Sequence, residues 1–348
     1  MYQANESRYD SMQYRRCGTD SGLKLSAVSL GMWHNFGSVD DFENARAMAR
    51  TAFDAGITNF DLANNYGPEP GSAETTFGKI LADDFKPYRD QITVSSKAGY
   101  LMWPGPFGDG GSRKYLIASC DASLKRLGLD YVDIFYHHRP DPETPVEESM
   151  LALAQIVRSG RAIYAGISNY PPEAAIKALN ILREERIPCV LDQVPFNILD
   201  RRYEENGLLP LLAEQGIGGI IFSPLAQGVL TDRYRNGVPD DSRAARNDVF
   251  FHDATPEVKS WVFNSSKVTP KLIETTAKLR DIAEKRGQTL AQMAIAWVLS
   301  RPGVTSALIG ASRPAHITDI VQCLGDTSFS PLENELIDAI YDNWKTAN

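Results

Sequence analysis

Eight short runs rich in β-branched and aromatic residues, each followed by a longer stretch of helical periodicity, restrict this chain of 348 residues more than any other feature. The runs are AVSLGMW from Ala27, ITNFDLA from Ile57, ITVSSKA from Ile92, VDIFYHH from Val132, AIYAGIS from Ala162, VLDQVPF from Val190, GGIIFSP from Gly218 and TSALIGA from Thr305. The segments between them, such as AETTFGKILADD, RKYLIASCDASLKRLG and PVEESMLALAQIVRSG, are amphipathic, and several close on a glycine of the kind that terminates helices. TLAQMAIAWVLSRPG opens on the capping-box pair Thr289 and Gln292 and stops at Pro302 and Gly303. Strands that alternate with helices cross over right-handedly into a parallel sheet, and eight such units close it into an α/β fold, the (β/α)8 or TIM barrel.

The start of the chain departs from that rhythm. YRRCGTDSGLKLSAV reads as two short strands around a turn containing Asp20, Ser21 and Gly22, a β-hairpin covering the barrel bottom. Two longer insertions, Tyr100–Ser112 and Thr231–Pro256, follow the third and seventh runs and so fall among the loops of the C-terminal face, where this architecture carries its sites. No linker, low-complexity tract or internal repeat interrupts the alternation, so a single barrel domain is expected over 1–348, with its ordered core from about 13 to 345.

The formal charge of −8 argues against a nucleic-acid partner, because a phosphate backbone calls for clustered Lys and Arg. The four cysteines are far apart, and the five histidines show no metal-ligand spacing, so reduced thiols, a cytoplasmic setting and no metal are expected. The opening MYQANESRYDSMQYRRCG has no apolar core of a signal segment, and no apolar run is long enough to span a membrane, so no membrane partner is expected.

In a barrel of this kind the C-terminal ends of the strands converge on one mouth. Asp61 follows the second run, Lys97 ends the third, His138 ends the fourth, and Tyr66 hangs on the loop just after Asp61. A lysine ammonium beside a phenol favours the phenolate, a carboxylate beside the lysine keeps that ammonium charged, and an imidazole can orient a carbonyl. Together they make Tyr66 a usable general acid. Taken singly, each residue also has a plain structural role: Asp61 as a turn or cap residue, Tyr66 as a rim aromatic, Lys97 as a snorkelling surface lysine, and His138 as half of a structural pair with His137.

These residues lie in the motifs LGMWHNFG, FDLANNYGPEPGSAE, SSKAGYLMWPGP, GGSRKYL, YVDIFYHHRPD and FSPLAQGVLTDRY, and through them nearly the whole chain resembles the aldo-keto reductases. Within that family it is similar to bacterial reductases of L-glyceraldehyde 3-phosphate, themselves relatives of potassium-channel β subunits. The resemblance implies a catalytic tetrad of Asp61, Tyr66, Lys97 and His138, with Tyr66 as proton donor, and NADP(H) as cofactor. Channel β subunits typically carry asparagine at the position of His138, which therefore implies an active reductase.

The resemblance also implies a cofactor site. Ser168, Asn169 and Gln193, with Asp61, would surround a nicotinamide carboxamide, and Phe222, whose plain alternative is core packing, would stack on the ring. Met32 and Trp33 border it, and Ser223, Pro224, Leu225, Gln227 and Gly228 would follow the pyrophosphate. Gly310, Ser312 and Arg313 lead into the last helical segments and suit an adenosine 2′-phosphate. Arg233 and Arg243 match basic positions around the cofactor. The usual family pattern then continues with glutamine and a Glu-Asn pair, where this chain has His316, Asp319 and Ile320, so the amide lost at Ile320 weakens the adenine contacts that the resemblance implies.

Substrate selection is expected from Trp33, His34, Tyr66, Trp103, Arg113 and His138, with Arg113 or Lys114 meeting a substrate phosphate, against the alternative that Ser112 merely caps a helix whose first turn they form. The reaction implied is reduction of a small aldehyde, L-glyceraldehyde 3-phosphate first and methylglyoxal next, in a protein whose relatives form tetramers or larger rings. Two other readings stay open: an NADPH-binding redox sensor like the channel subunits, and a Schiff-base lyase using Lys97.

Overall fold

The computed structural model describes residues 2–240, 242, 244–245 and 267–346. Each predicted strand run contains a strand. After the antiparallel pair β1 (Tyr14–Arg16) and β2 (Lys24–Ser26) come β3 (Val28–Gly31), β4 (Asn59–Asp61), β5 (Thr93–Ala98), β6 (Val132–His137), β7 (Ala162–Ser168), β8 (Cys189–Pro195), β9 (Gly218–Phe222) and β10 (Val304–Ile309). From β3 to β10 each strand pairs in parallel with the next, and β10 returns to β3, which closes the barrel.

The helices that cover it are α1 (Phe42–Asp54), α2 (Ser72–Ile80), α3 (Arg113–Leu127), α4 (Val146–Arg158), α5 (Pro172–Glu184), α6 (Arg202–Glu205), α7 (Leu208–Glu214), α8 (Pro270–Lys285), α9 (Leu290–Leu299), α10 (Pro314–Val321) and α11 (Pro331–Lys345). The Thr289 and Gln292 capping box forms as read, at the start of α9. Among the described residues no helix is long and apolar enough to cross a membrane.

Strand alternation sorts the side chains. On β5, Ser96 turns outward to donate to Glu74 of α2 at 2.5 Å, while Ser95 and Lys97 turn inward. The barrel interior is filled by Ile134, Tyr136, Leu191, Ile220 and Leu308, and the same cluster takes in Cys17 and Leu25 from the β1–β2 hairpin. The hairpin thus plugs the N-terminal end of the barrel, where these apolar groups would otherwise meet water at a cost of about 25 cal/mol per Å2. Its turn sits so close to the β8–β9 connection that a side chain at Gly18, which has φ 75°, would fall 2.0 Å from the Gly216 carbonyl oxygen.

Between strands and helices lies a second layer, in which Phe60 of β4 meets Phe77 at 5.2 Å and Phe85 at 5.5 Å. Here the structure differs from the single helix expected over AETTFGKILADD. The α-helix ends at Ile80 and continues as a π turn, Leu81–Phe85, and a 3-10 stretch, Lys86–Gln91. The wider turn carries Phe85 into the aromatic cluster and buries the Asp84 carboxylate against Arg46 and Arg50 of α1, both at 2.7 Å. The second insertion, from Thr231, lies only partly within the described residues; its Asp232 pairs with Arg280 of α8 at 2.6 Å.

Asp192, between the inward-facing Leu191 and Gln193, lies on the outer side of β8 with no exposed surface. Burial pushes its carboxyl well above the usual range, offset only in part by the Tyr170 backbone N–H. An acid that keeps its proton when folded and loses it when unfolded makes the fold less stable as pH rises above about 4, its ordinary value. Asp192→Asn removes that titration, so the variant's melting temperature relative to the natural chain is expected to climb between pH 5 and pH 8. Differential scanning calorimetry at those two pH values reads it, and a difference independent of pH would contradict the assignment.

Candidate active site

The β4, β5 and β6 ends bring together residues that are 77 positions apart at the extremes, Asp61 and His138. Asp61 stands in register beside Ser95. Lys97 Nζ donates to Asp61 Oδ2 and to the Leu62 carbonyl oxygen, both at 2.5 Å. The other carboxylate oxygen, Oδ1, accepts from Ser95 Oγ at 2.7 Å and from Gln193 Nε2 at 3.0 Å. All four of these side chains are buried, Lys97 and Asp61 completely. Tyr66 is half-buried above them, its ring centroid 4.9 Å from Lys97 Nζ and 5.9 Å from the imidazole of His138, edge to face. On the other side of His138 stands Tyr100, at 4.6 Å, and on the other side of Tyr66 stands Trp33, at 6.3 Å. Tyr136 lies below Lys97, its ring centroid 5.7 Å from Nζ, over Gly166, where any side chain would strike it.

The electrostatics follow from burial. Burial drives the Lys97 ammonium below its ordinary range, and the charge and hydrogen bond of Asp61 oppose that, with Glu74 adding to the opposition. Burial, then the charges of Lys97, His137 and Arg139, push His138 well below the usual histidine value, so its imidazole is neutral at pH 7. Tyr66 differs from expectation. Burial first, and then Asp61 and Tyr100, raise its phenol well above the ordinary value, and the ammonium of Lys97, bonded to Asp61 and Leu62 and not to the phenol oxygen, does not offset them. The phenol therefore holds its proton firmly.

Several of the other predicted positions lie at or just after the ends of the later strands. Ser168 Oγ donates to the Gln193 carbonyl oxygen at 2.8 Å, and Asn169, in the left-handed region at φ 61°, donates from Nδ2 to the His138 carbonyl oxygen at 3.0 Å. Gln193 turns its amide to Asp61. Phe222 ends β9 partly exposed, and in the loop after it Ser223, Ala226 and Gln227 take positive φ, interleaved with Pro224, Leu225 and Gly228. Met32 is fully buried, and its N–H donates to the Asp61 carbonyl oxygen at 3.0 Å.

At the start of α10, Arg313 Nε donates to His316 Nε2 at 2.9 Å, with Ser312 Oγ 3.4 Å from Nδ1. Burial, then Arg313 and Arg233, lower the His316 pKa, which brings Arg233 of the second insertion to this corner; Gly310 beside it is exposed. Asp319 accepts from the Gln292 amide at 2.9 Å through its carboxylate and its carbonyl. Arg243 lies outside the described residues.

The residues expected to select the substrate are held in different ways. Trp33 and His34 pack together at 4.3 Å beside Tyr66, as a pocket wall would, and Trp103 leans on Tyr115 at 5.4 Å with a third of its surface exposed. Arg113, expected at the pocket, instead bonds its guanidinium to Gln155 of α4 and its backbone N–H to Glu148 at 2.9 Å, and Ser112 caps α3 by accepting from Tyr115 N–H at 3.3 Å. The guanidinium is held by α4, the neighbouring helix. Lys114 lies over Phe107 at 4.3 Å.

The cation beside His138 is Arg139, which the sequence reading passed over. It donates to the Gly99 carbonyl oxygen at 2.9 Å and to Asp109 at 3.0 Å, and lies 4.9 Å from the Tyr100 ring centroid. Ser95 was passed over as well, although the alternation of TVSSKA already puts it on the face of Lys97.

The family model for the aldo/keto reductase family matches residues 27–342. The chain is 52% identical over 335 residues to L-glyceraldehyde 3-phosphate reductase of Escherichia coli K12, covering 96% of this chain and 94% of the relative. It is 36% identical over 312 residues to a probable voltage-gated potassium channel subunit beta of Arabidopsis thaliana, covering 88% of this chain and 90% of that one. A barrel with Asp61, Tyr66, Lys97 and His138 at its mouth and a family match across the whole barrel lead to one conclusion: the chain belongs to the aldo/keto reductase family.

Proposed function

We propose that this chain reduces small aldehydes with NADPH, using Tyr66 as the proton donor. The observation that carries the proposal is the fully buried Asp61–Lys97 pair beneath the Tyr66 ring, with a neutral His138 on its far side. The residues around the mouth suit the cofactor. Ser168, Asn169 and Gln193 carry the hydroxyl and amides that a carboxamide needs, fixed in place by bonds to the Gln193 carbonyl oxygen, the His138 carbonyl oxygen and Asp61. The left-handed residues after Phe222 make a backbone concavity of the kind that receives anions, and Arg313, Ser312 and His316 gather where a 2′-phosphate would be held. When bound, NADPH supplies the hydride that the carbonyl carbon accepts.

The protein's own part is proton transfer and orientation. The imidazole of His138 orients the carbonyl oxygen toward the phenol. Tyr66 gives its proton to that oxygen as the carbonyl becomes an alcohol. The phenolate left behind is stabilised by the Lys97 ammonium, which Asp61 keeps charged, and water returns the proton to Tyr66 afterwards. L-glyceraldehyde 3-phosphate is the leading substrate, on kinship with the E. coli reductase, with methylglyoxal and similar reactive aldehydes next. The 36% relatives favour a second reading, a subunit that binds NADPH and turns over slowly. His138 at the mouth supports the enzyme.

Three measurements test this. Tyr66→Phe is expected to lower kcat/KM by roughly 10²- to 10⁴-fold, the usual share of general-acid catalysis, while NADPH still quenches protein fluorescence on binding; near-normal turnover would reject the mechanism. A panel of aldehydes with NADPH and NADH, read as kcat/KM, should show brisk multiple turnover with NADPH and rank L-glyceraldehyde 3-phosphate first. A single slow turnover on every aldehyde would favour the sensor. Because Arg113 is engaged by Gln155, Arg113→Ala should leave the KM ratio of glyceraldehyde 3-phosphate to an unphosphorylated aldehyde within about twofold, the scale of a surface contact. A large rise in that ratio would return Arg113 to the substrate site.

A further inference from the structure

Asp61 is the hub of the site, and how it is held has consequences for the whole tetrad. A carboxylate on a short strand can rotate about χ1 and χ2, and only one orientation points Oδ2 along the short bond to Lys97. Two donors fix that orientation through Oδ1. One is Gln193 Nε2, from β8, at 3.0 Å. The other is Ser95 Oγ, from the adjoining strand, at 2.7 Å.

These two donors are not equivalent. The long Gln193 side chain reaches Asp61 from the far side of the barrel, and in the proposed function its amide is also a partner for the cofactor carboxamide. Ser95 has no exposed surface, stands in register with Asp61 and bonds to Asp61 through a side chain with one rotatable carbon bond. We propose that Ser95 is a positioning residue of the reductase, holding Asp61 against Lys97 so that the ammonium stays charged beneath Tyr66 throughout the cycle. The proposal rests on the reductase reading for its kinetic consequence and on the geometry alone for its structural one.

Lys97 is faced by Asp61 from β4, Glu74 from α2, Tyr66 from the loop above, Tyr136 from β6 and His138 beyond it. Of these, Asp61 and Glu74 hold the proton on Lys97, and Asp61 alone bonds to it. Losing the Ser95 hydroxyl loosens Asp61 and lets burial lower Lys97 further. The sign is definite. A lysine whose folded pKa is depressed costs stability while it is charged in the fold, and that cost disappears as pH rises through the folded pKa.

Ser95→Ala tests this, since it removes one oxygen and adds no bulk. In steady-state kinetics with NADPH and a small aldehyde, kcat should fall about tenfold, the scale of one hydrogen bond to a charged group, and the alkaline limb of its pH profile should move to lower pH. The NADPH dissociation constant from fluorescence quenching should stay within about twofold, as expected for a group that touches no ligand. In thermal melts the variant should be less stable than the natural chain at pH 7, and the deficit should shrink toward pH 10, where Lys97 no longer needs its partner.

A natural chain inactive on every aldehyde, with the pH-dependent deficit intact, would reject the reductase reading and keep the positioning role. An active natural chain whose Ser95→Ala variant keeps the same kcat, the same alkaline limb and a deficit independent of pH would overturn the proposal.

Discussion

The buried ion pair between Asp61 and Lys97 is the interaction on which the rest of the site depends. A lysine with no exposed surface loses its hydration and would surrender its proton. The carboxylate that prevents this must itself be desolvated, and removing one partner of such a pair leaves an uncompensated charge at a cost of about 3–5 kcal/mol. The barrel meets that requirement with fixed donors. Lys97 also donates to the Leu62 carbonyl oxygen, and Asp61 accepts from Ser95 and Gln193. Every one of these atoms comes from a barrel strand or the residue just after it, so the sheet fixes the pair.

Above the pair the tolerance is wider, as a mouth that must admit a substrate requires. Tyr66, His138, Tyr100 and Trp33 meet by ring contacts between 4.6 and 6.3 Å. The loop that carries Tyr100 is nonetheless clasped. Arg139 bonds to Gly99 and Asp109, Tyr115 donates to the Tyr100 carbonyl oxygen at 2.5 Å, and Asp141 accepts the Gly111 N–H at 2.7 Å. The first insertion is therefore held in place beside the mouth by residues outside the tetrad.

Much of the architecture was legible because it follows from local rules. A β-rich run feeding an amphipathic segment has one stable outcome when it is repeated eight times, and the hairpin announced itself by breaking the rhythm. The meeting of Asp61, Tyr66, Lys97 and His138 was legible for a related reason. Residues at strand ends of a closed parallel barrel converge whatever their separation in sequence, so position within a run substitutes for distance in space. The cofactor positions were expected from chemistry and kinship, but Asp319 and Gln193 show the limit of that expectation. Both carry the expected groups, and in the structure both groups are engaged by neighbours, Gln292 and Asp61 respectively.

The sequence by itself determined the barrel, the hairpin plug and the identity of the four residues at the mouth, because hydrophobic period and strand order are written in one dimension. Tertiary structure decided the rest. It turned Arg113 away to Gln155, set Arg139 as the clasp of the insertion, bent the end of α2 into a π turn for Asp84 and Phe85, and raised the Tyr66 pKa where the lysine had been expected to lower it. The physical reason is common to all four. Burial and the partners of a flexible side chain depend on which elements pack against it from elsewhere in the chain, and no pattern within a segment contains that information.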